Sequence, residues 1–504
     1  MPIVSARNKV LFLPVIRGIY PAGMTARVTA VVKDVAAGLG IDAIFPADGA
    51  YTDGLIKTDD DTANYAAAWL PQLARIKALV VISSDFMRER VVQDTARLLP
   101  DDVPVFMMVN NDAPAELVDG KVGDSFCGSL SVHHAIRMLG RRIVRSCRTD
   151  MHDRAGVESL LSRFRKIIDG IEGLRNTRVA MLGINPGEFT TTYTNQIKLF
   201  ECGFSLHSYE LITLWGDTVL ASLVDEGSKS CRGPFGDVKF WRPVRRNDAR
   251  IPAVKDDIRK LLPGLSAGEA KVDTLARCFL WVQDTFAAER IDTGAVHCWP
   301  EFTRYFGFAP CTLAMLSNHL LRKPLACECD ICHAIMMKLA WEMTGEAGVV
   351  LDLNNNGWEP RVFNAFHCSQ TPPNWLTGPV DACDGGQVLG QIAPAAFTGI
   401  SAATTAGGFK ATVFHGRMLR RASSPRGSSG WAFVPNLPSV LESIQECGIH
   451  HYVALKGHIG CEVADALAFR GIEPVDLSQP VPPLEDVEAE VFRNAAIPFT
   501  GTVS

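Results

Sequence analysis

The chain has 504 residues, 47% of them hydrophobic and 21% charged, with a formal net charge of −5. That balance belongs to a folded globular protein long enough for roughly three domains. A weakly acidic chain lacks the concentrated basic surface that phosphate backbones require, which argues against nucleic acid as a partner and for a small neutral or weakly anionic substrate.

The N-terminal apolar run Val10–Ile16 is too short for a secretory leader and contains Pro14. No apolar run reaches the ~18 residues of a membrane span, so no membrane partner is expected. The 14 cysteines are scattered rather than set in a dense framework, and read as reduced thiols of a cytoplasmic protein.

In chain order, Val10–Ile16 reads as a strand, Thr25–Leu39 as a helix, and Ala78–Ser83 and Val103–Asn110 as short buried strands. Such alternation predicts an open parallel sheet flanked by helices. Polar strand ends, Ser83-Ser84-Asp85 and Asn110-Asn111-Asp112, stand where ligands gather in such sheets, or simply cap the next helix. A second α/β unit begins near Thr177 with the strand Arg178–Ile184 and the turn Asn185-Pro186-Gly187-Glu188. It carries no Gly-x-Gly-x-x-Gly fingerprint, so no dinucleotide is expected. Helical patterns follow at Thr194–Cys202 and Ala270–Glu289. Residues 371–440 turn rich in Gly, Pro, Ser and Thr, with β-like runs such as Lys410–Phe414, before Tyr452–Leu455 and Val463–Gly471 return to an αβ pattern. The expected division is 1–175, 176–355 and 356–504, with the acidic motifs in the second part and a histidine pair in the third.

Chemistry concentrates in Val296–His333, where Glu301 follows a Trp-Pro turn and Glu328 and Asp330 follow in Cys327-Glu328-Cys329-Asp330. In an extended strand Glu328 and Asp330 point to one face, where two carboxylates invite a divalent cation. The plainer alternative is ordinary surface acids. A competing alternative is a thiolate centre of Cys327, Cys329 and Cys332 with His333, whose spacing is not a two-plus-two zinc pattern. His450 and His451 open a β-run; on strand alternation only one of them enters a given site. His367, in Phe366-His367-Cys368-Ser369-Gln370, is a loop-borne histidine, and Phe126-Cys127-Gly128-Ser129 either lines a pocket or merely begins a helix.

Together these segments resemble the L-fucose isomerase and L-arabinose isomerase superfamily, and more narrowly its fucose-isomerase-like branch. Cys298-Trp299-Pro300-Glu301 resembles the family's catalytic glutamate segment, Cys327-Glu328-Cys329-Asp330 its second acidic motif, and Gly448-Ile449-His450-His451 its C-terminal histidine element. Phe126-Cys127-Gly128 and His367-Cys368-Ser369 match segments that recur in the branch. The acids Glu301 and Glu328 stand 27 positions apart (328 − 301), comparable with the arabinose isomerase pair. Seventeen positions further on, where arabinose isomerases have a histidine ligand, this chain has Gly345.

The resemblance implies two doubly wound α/β domains with parallel sheets and a C-terminal domain containing a β-barrel. It implies an aldose–ketose isomerase working through an enediol, with Mn²⁺ or another divalent cation, in a homo-oligomer such as a trimer or hexamer. Glu301, Asp330 and His451 would hold the metal, and Glu301 and Asp330 would form the acid–base pair. Asp330 matches the aspartate ligand of fucose isomerases, while Glu328 sits where arabinose isomerases place a glutamate, so both acids stay open for that position. Trp299 would offer an aromatic wall to the sugar, or pack in the core, and Glu328 and His367 would contact sugar hydroxyls. A non-catalytic sugar-binding protein on the same scaffold is the other function class to separate by experiment.

Overall fold

The structure, a computed structural model, describes residues 7–17, 22–47, 55–111, 124–224, 230–233, 236–354, 359–382, 386–423 and 427–493. The chain forms two compact units, Met1–Glu172 and Gly173–Ser504.

In the first unit five parallel strands, β1 (Lys9–Pro14), β2 (Ala43–Ile44), β3 (Ile76–Ser83), β4 (Val105–Asn110) and β5 (Ile143–Thr149), run in the order β2-β1-β3-β4-β5. Strands β3 and β4 are almost wholly buried, because the crossover helices of a parallel sheet cover both faces; this is why they read as unbroken apolar runs. The helices include Ala22–Gly38, Glu89–Leu98, Ser125–Arg137 and Arg154–Gly173. The polar strand ends tie neighbouring segments together. The Ser83 hydroxyl donates to the Ser125 carbonyl (3.2 Å), Ser84 pairs with Thr25 (2.7 Å), and Asn110 accepts from the Met151 amide (2.9 Å). None of them caps the next helix after β3, whose N-cap is Arg88. Asp112 lies outside the described residues.

The second unit begins with another parallel sheet, made of β6 (Arg178–Leu182), β7 (Ser205–Tyr209), β10 (Thr293–Val296) and β11 (Leu325–Ala326) in the order β11-β10-β6-β7. A small hairpin, β8 (Ser230–Gly233) and β9 (Gly236–Lys239), falls between β7 and β10 in the chain. The helix expected over Thr194–Cys202 is shorter, Gln196–Glu201, because the Asn195 side chain accepts from the Ile197 and Lys198 amides and sets the start there. The helix Ile331–Thr344 is largely buried; Asp330 caps its start, and Gly345, at φ 71°, ends it in the left-handed conformation.

Nine further strands follow: β12 (Val349–Asn354), β13 (Val362–His367), β14 (Leu376–Ala382), β15 (Val388–Ile392), β16 (Ala395–Thr405), β17 (Gly408–Met418), β18 (Ser428–Phe433), β19 (His451–Lys456) and β20 (Glu473–Asp476). Six of them close into a barrel, β18-β13-β12-β19-β16-β17, sealed where Arg417 and Met418 of β17 pair with Phe433 and Ala432 of β18. Closure removes the unpaired edges that an open antiparallel sheet would expose. The Phe363, Phe397, Phe414 and Tyr452 rings pack against one another with centroids 5.6–6.2 Å apart. Two of these rings fold across glycines: Phe397 faces Gly416 and Phe414 faces Gly399 across the β16–β17 ladder. A Cβ on Gly399 would meet the Phe414 ring (2.5 Å from Cε2), so the bare backbone is what lets each ring lie flat on its partner strand. The architecture is thus two parallel-sheet α/β assemblies and a C-terminal β-barrel, as the family resemblance implies. Among the described residues no helix is long and apolar enough to cross a membrane.

Candidate metal centre

The barrel supplies two side chains directly. Strands β12 and β19 are antiparallel neighbours, and Asp352 stands opposite His451 in their register. Cross-strand partners share a face, so the carboxylate and the imidazole are brought together by pairing alone. A third side chain comes from the turn after β11. Glu328 and Cys329 both adopt left-handed backbone, with φ 57° and 52°. Such conformations cost energy for residues with a Cβ and persist where the surroundings enforce them. Here the Asn185 amide donates to the carbonyls of Thr192 (3.0 Å) and Cys329 (3.1 Å), and the Cys329 amide donates to the Val296 carbonyl (3.1 Å). The expectation of an extended strand presenting Glu328 and Asp330 on one face is corrected: the segment is a turn that aims Glu328 one way and leaves Asp330 capping a helix.

Glu328 Oε2 lies 3.4 Å from His450 Nε2 and 3.7 Å from His451 Nε2. Asp352 Oδ1 lies 3.4 Å from His451 Nε2 and 3.9 Å from His450 Nε2. Glu328 Oε2, Asp352 Oδ1 and His451 Nε2 are all buried without a hydrogen-bond partner among the described residues. Both carboxylate oxygens lie beside His451 Nε2, and buried polar atoms left without a partner are costly unless something binds them. Two carboxylate oxygens and an imidazole nitrogen form a donor set that suits a hard divalent cation.

Three groups of possible ligands lie within 4.8 Å: Asp352–His450–His451, Glu328–His367–His451 and Asp330–His333–His451. Hydrogen bonding separates them. His367 Nδ1 accepts from the Cys368 amide (2.8 Å), so the neutral ring carries its proton on Nε2, which faces the Cys327 sulfur at 3.2 Å. His367 is therefore committed as a donor. Asp330 is saturated as well: Oδ1 accepts from the His333 amide (3.0 Å), and Oδ2 from the Nδ1 atoms of His333 (2.7 Å) and His451 (2.8 Å). What remains is Glu328, Asp352 and His451, with His450 beside them.

Both members of the histidine pair thus enter the cluster, contrary to the alternation argument. His450 precedes β19, where the two-residue period of a strand does not yet apply. Its Nδ1 pairs with the Thr191 hydroxyl at 2.6 Å. Burial alone would raise the Glu328 carboxyl, but the His450 ring, 3.4 Å from Oε2, and the nearby His451 and His367 rings hold it below the usual range. Burial likewise opposes ionisation of Asp330, and the charge and hydrogen bonds of His333 and His451 outweigh it and hold that carboxyl far down. Burial favours the neutral His451 ring, yet Asp330, Asp352 and Glu328 together raise its pKa.

Glu301 stands apart. Its carboxylate accepts from Arg304 Nη1 at 2.8 Å, it is 38% exposed, and it belongs to none of the ligand groups. Trp299 is 59% exposed rather than packed in the core, and the Phe189 ring lies 6.5 Å from it and 6.2 Å from His450. The thiols of Cys327 and Cys329 are pushed well up, the first by Cys298 and burial and the second by burial, and burial takes Cys332 to about 12. Among the described residues no cysteine joins a ligand group. Sequence reasoning missed Asp352. Its signal was a single acid inside the apolar run Val349-Val350-Leu351-Asp352-Leu353, a placement that asks for a buried partner.

The family described as fucose/sulfoquinovose isomerase, N-terminal domain, matches residues 12–175, nearly the whole first unit. Sulfoquinovose isomerases of Priestia aryabhattai, Priestia megaterium and Alkalicoccus urumqiensis are each 22% identical to this chain over 219 residues. That stretch is 43% of this chain and 43% of each relative, so the match spans less than half the length of the curated relatives. The first unit is thus similar to the N-terminal domain of these isomerases, and a second parallel sheet and a barrel follow it in the chain.

Proposed function

We propose that the protein is a divalent-metal-dependent aldose–ketose isomerase whose metal is held by Glu328, Asp352 and His451. The observation that carries this reading is that two buried, unpartnered carboxylate oxygens, Glu328 Oε2 and Asp352 Oδ1, lie 3.7 and 3.4 Å from the equally unpartnered His451 Nε2. Mn²⁺, or another cation of that hardness, would supply Lewis-acid stabilisation of the negative charge that develops on the sugar oxygens. The carboxylates of Glu328 and Asp352 each lie beside His451 Nε2. One removes a proton from the carbon beside the sugar carbonyl, and the other returns one to the neighbouring carbon. His450, anchored by Thr191 and partly exposed, moves a proton at Nε2 between a sugar hydroxyl and solvent. Trp299 and Phe189 present ring faces to the C–H side of an open-chain sugar. Glu301 and Arg304 belong to the rim in this reading, and Asp330 lies behind the ligands. A cytoplasmic homo-oligomer, trimer or hexamer, completes it, and light scattering on the purified protein checks the assembly.

The test is a panel of aldoses, neutral ones and sulfoquinovose together, incubated with metal-free protein and with protein reloaded with Mn²⁺. Ketose should appear only in the reloaded samples. Ketose formation undiminished in the metal-free protein, or binding of a sugar without turnover under any divalent ion, would overturn the reading.

A further inference from the structure

Asp330 makes contacts that say more than a cap would. Its carboxylate is 2% exposed and accepts three hydrogen bonds, from one backbone amide and two imidazoles. The protons in this network can be placed by elimination. The Ala402 amide, which can only donate, points at His333 Nε2 at 3.3 Å. That nitrogen must therefore be bare, so the neutral His333 ring carries its proton on Nδ1 and gives it to Asp330 Oδ2. An ionised carboxylate can only accept, so His451 Nδ1, 2.8 Å from the same oxygen, also carries a proton. In the neutral ring the lone pair is then left on Nε2, the atom that faces Glu328 and Asp352.

We propose that Asp330 is a positioning residue: it fixes His451 as the Nδ1–H tautomer and so presents the Nε2 lone pair to the metal, while taking no part in ligation itself. This rests on the metal centre proposed above. The carboxylate joins parts that are distant in the chain. It caps the helix Ile331–Thr344, reaches β19 through His451, and through His333 reaches Ala402 of β16. Metal-bound histidines characteristically donate their second ring N–H to such a carboxylate, which orients the ring and raises its basicity. Asp330→Asn is the informative change. Asparagine keeps the volume and can still accept from the His333 amide through its oxygen. Its NH₂ group then faces two Nδ1–H groups, donor against donor, and the His451 proton is driven to Nε2, where it blocks the metal.

Two measurements decide the matter. The first is ¹⁵N NMR of histidine-labelled, metal-free wild type, held alkaline enough that the ring is neutral, with the His451 resonances assigned by their loss in His451→Gln. A proton on Nδ1 is expected; a proton on Nε2 overturns the proposal, and this result needs no variant. The second is Mn²⁺ titration followed by the EPR signal of the free ion. Asp330→Asn should weaken Mn²⁺ binding by about 10–100-fold, with its circular dichroism unchanged. A folded Asp330→Asn protein that binds Mn²⁺ within about 3-fold of wild type refutes the positioning role. Failure of wild type itself to bind Mn²⁺ refutes the metal centre, and the NMR result still reports whether Asp330 sets the tautomer.

Discussion

Replacing Asp352 by asparagine removes one negative charge from the proposed ligand set and changes almost nothing in shape. The affected oxygen lies 3.4 Å from His451 Nε2. A cation bound between these two atoms lies no farther than about that from the carboxylate, and at an effective dielectric of about 20 a unit charge there interacts with it by about 5 kcal/mol. The Asp352 side chain is 26% exposed, and solvent screening reduces the usable part to about 3 kcal/mol. That corresponds to a loss of about 10²-fold in cation affinity. Titrating metal-free wild type and Asp352→Asn with Mn²⁺ by calorimetry measures it, and a thermal melt without metal checks that the fold survives. An Asp352→Asn protein whose Mn²⁺ affinity stays within about 3-fold of wild type would refute the reasoning, because the charge would then face solvent rather than a cation.

Glu301→Gln provides the contrast: its carboxylate pairs with Arg304 outside the cluster, so Mn²⁺ affinity should change less than about 3-fold in the same titration. A large loss there would restore Glu301 to the ligand set. Gly399→Ala should destabilise the protein by about 1–3 kcal/mol in urea unfolding, because the added methyl collides with the Phe414 ring. Unfolded carboxyls titrate at about 3.9 (Asp) and 4.3 (Glu), and Asp330 and Glu328 are held below those values. Their stabilisation is therefore complete above about pH 5 and is lost as pH falls through the folded values. His451, raised by its acidic neighbours, acts in the opposite sense: its share is present below about pH 6.5 and is lost as pH climbs through the raised value. Urea midpoints of the metal-free protein should fall on the acid side, and Glu328→Gln should flatten that fall; an unchanged acid limb would contradict it.

The layered parts of the fold were legible because buried parallel strands are nearly all apolar. Ala78–Ser83 became Ile76–Ser83, Val103–Asn110 became Val105–Asn110, and Ala270–Glu289 became Glu269–Glu289. The barrel was legible only as a β-rich region, since its closure depends on long-range pairing of β17 with β18 that no local pattern announces. In the site, Glu328 and His451 stand where motif order suggested chemistry. Asp330 lies there too, but its carboxylate is taken up by hydrogen bonds to His333 and His451, and spacing cannot reveal which way a carboxylate faces. His450 escaped the alternation rule because the strand begins one residue later. Asp352 carries no motif at all; it becomes a partner of His451 only through the antiparallel pairing of strands about a hundred positions apart.

The pairing of Asp352 with His451 makes the proposed metal site a gauge of barrel assembly. A slip of a single residue between β12 and β19 would turn one of the two side chains to the opposite face while leaving the backbone ladder intact. A misassembled barrel could then look folded to spectroscopy and still be unable to bind the proposed cation. Cation uptake would thus act as proofreading, favouring by mass action the one alignment in which both strands are correctly threaded.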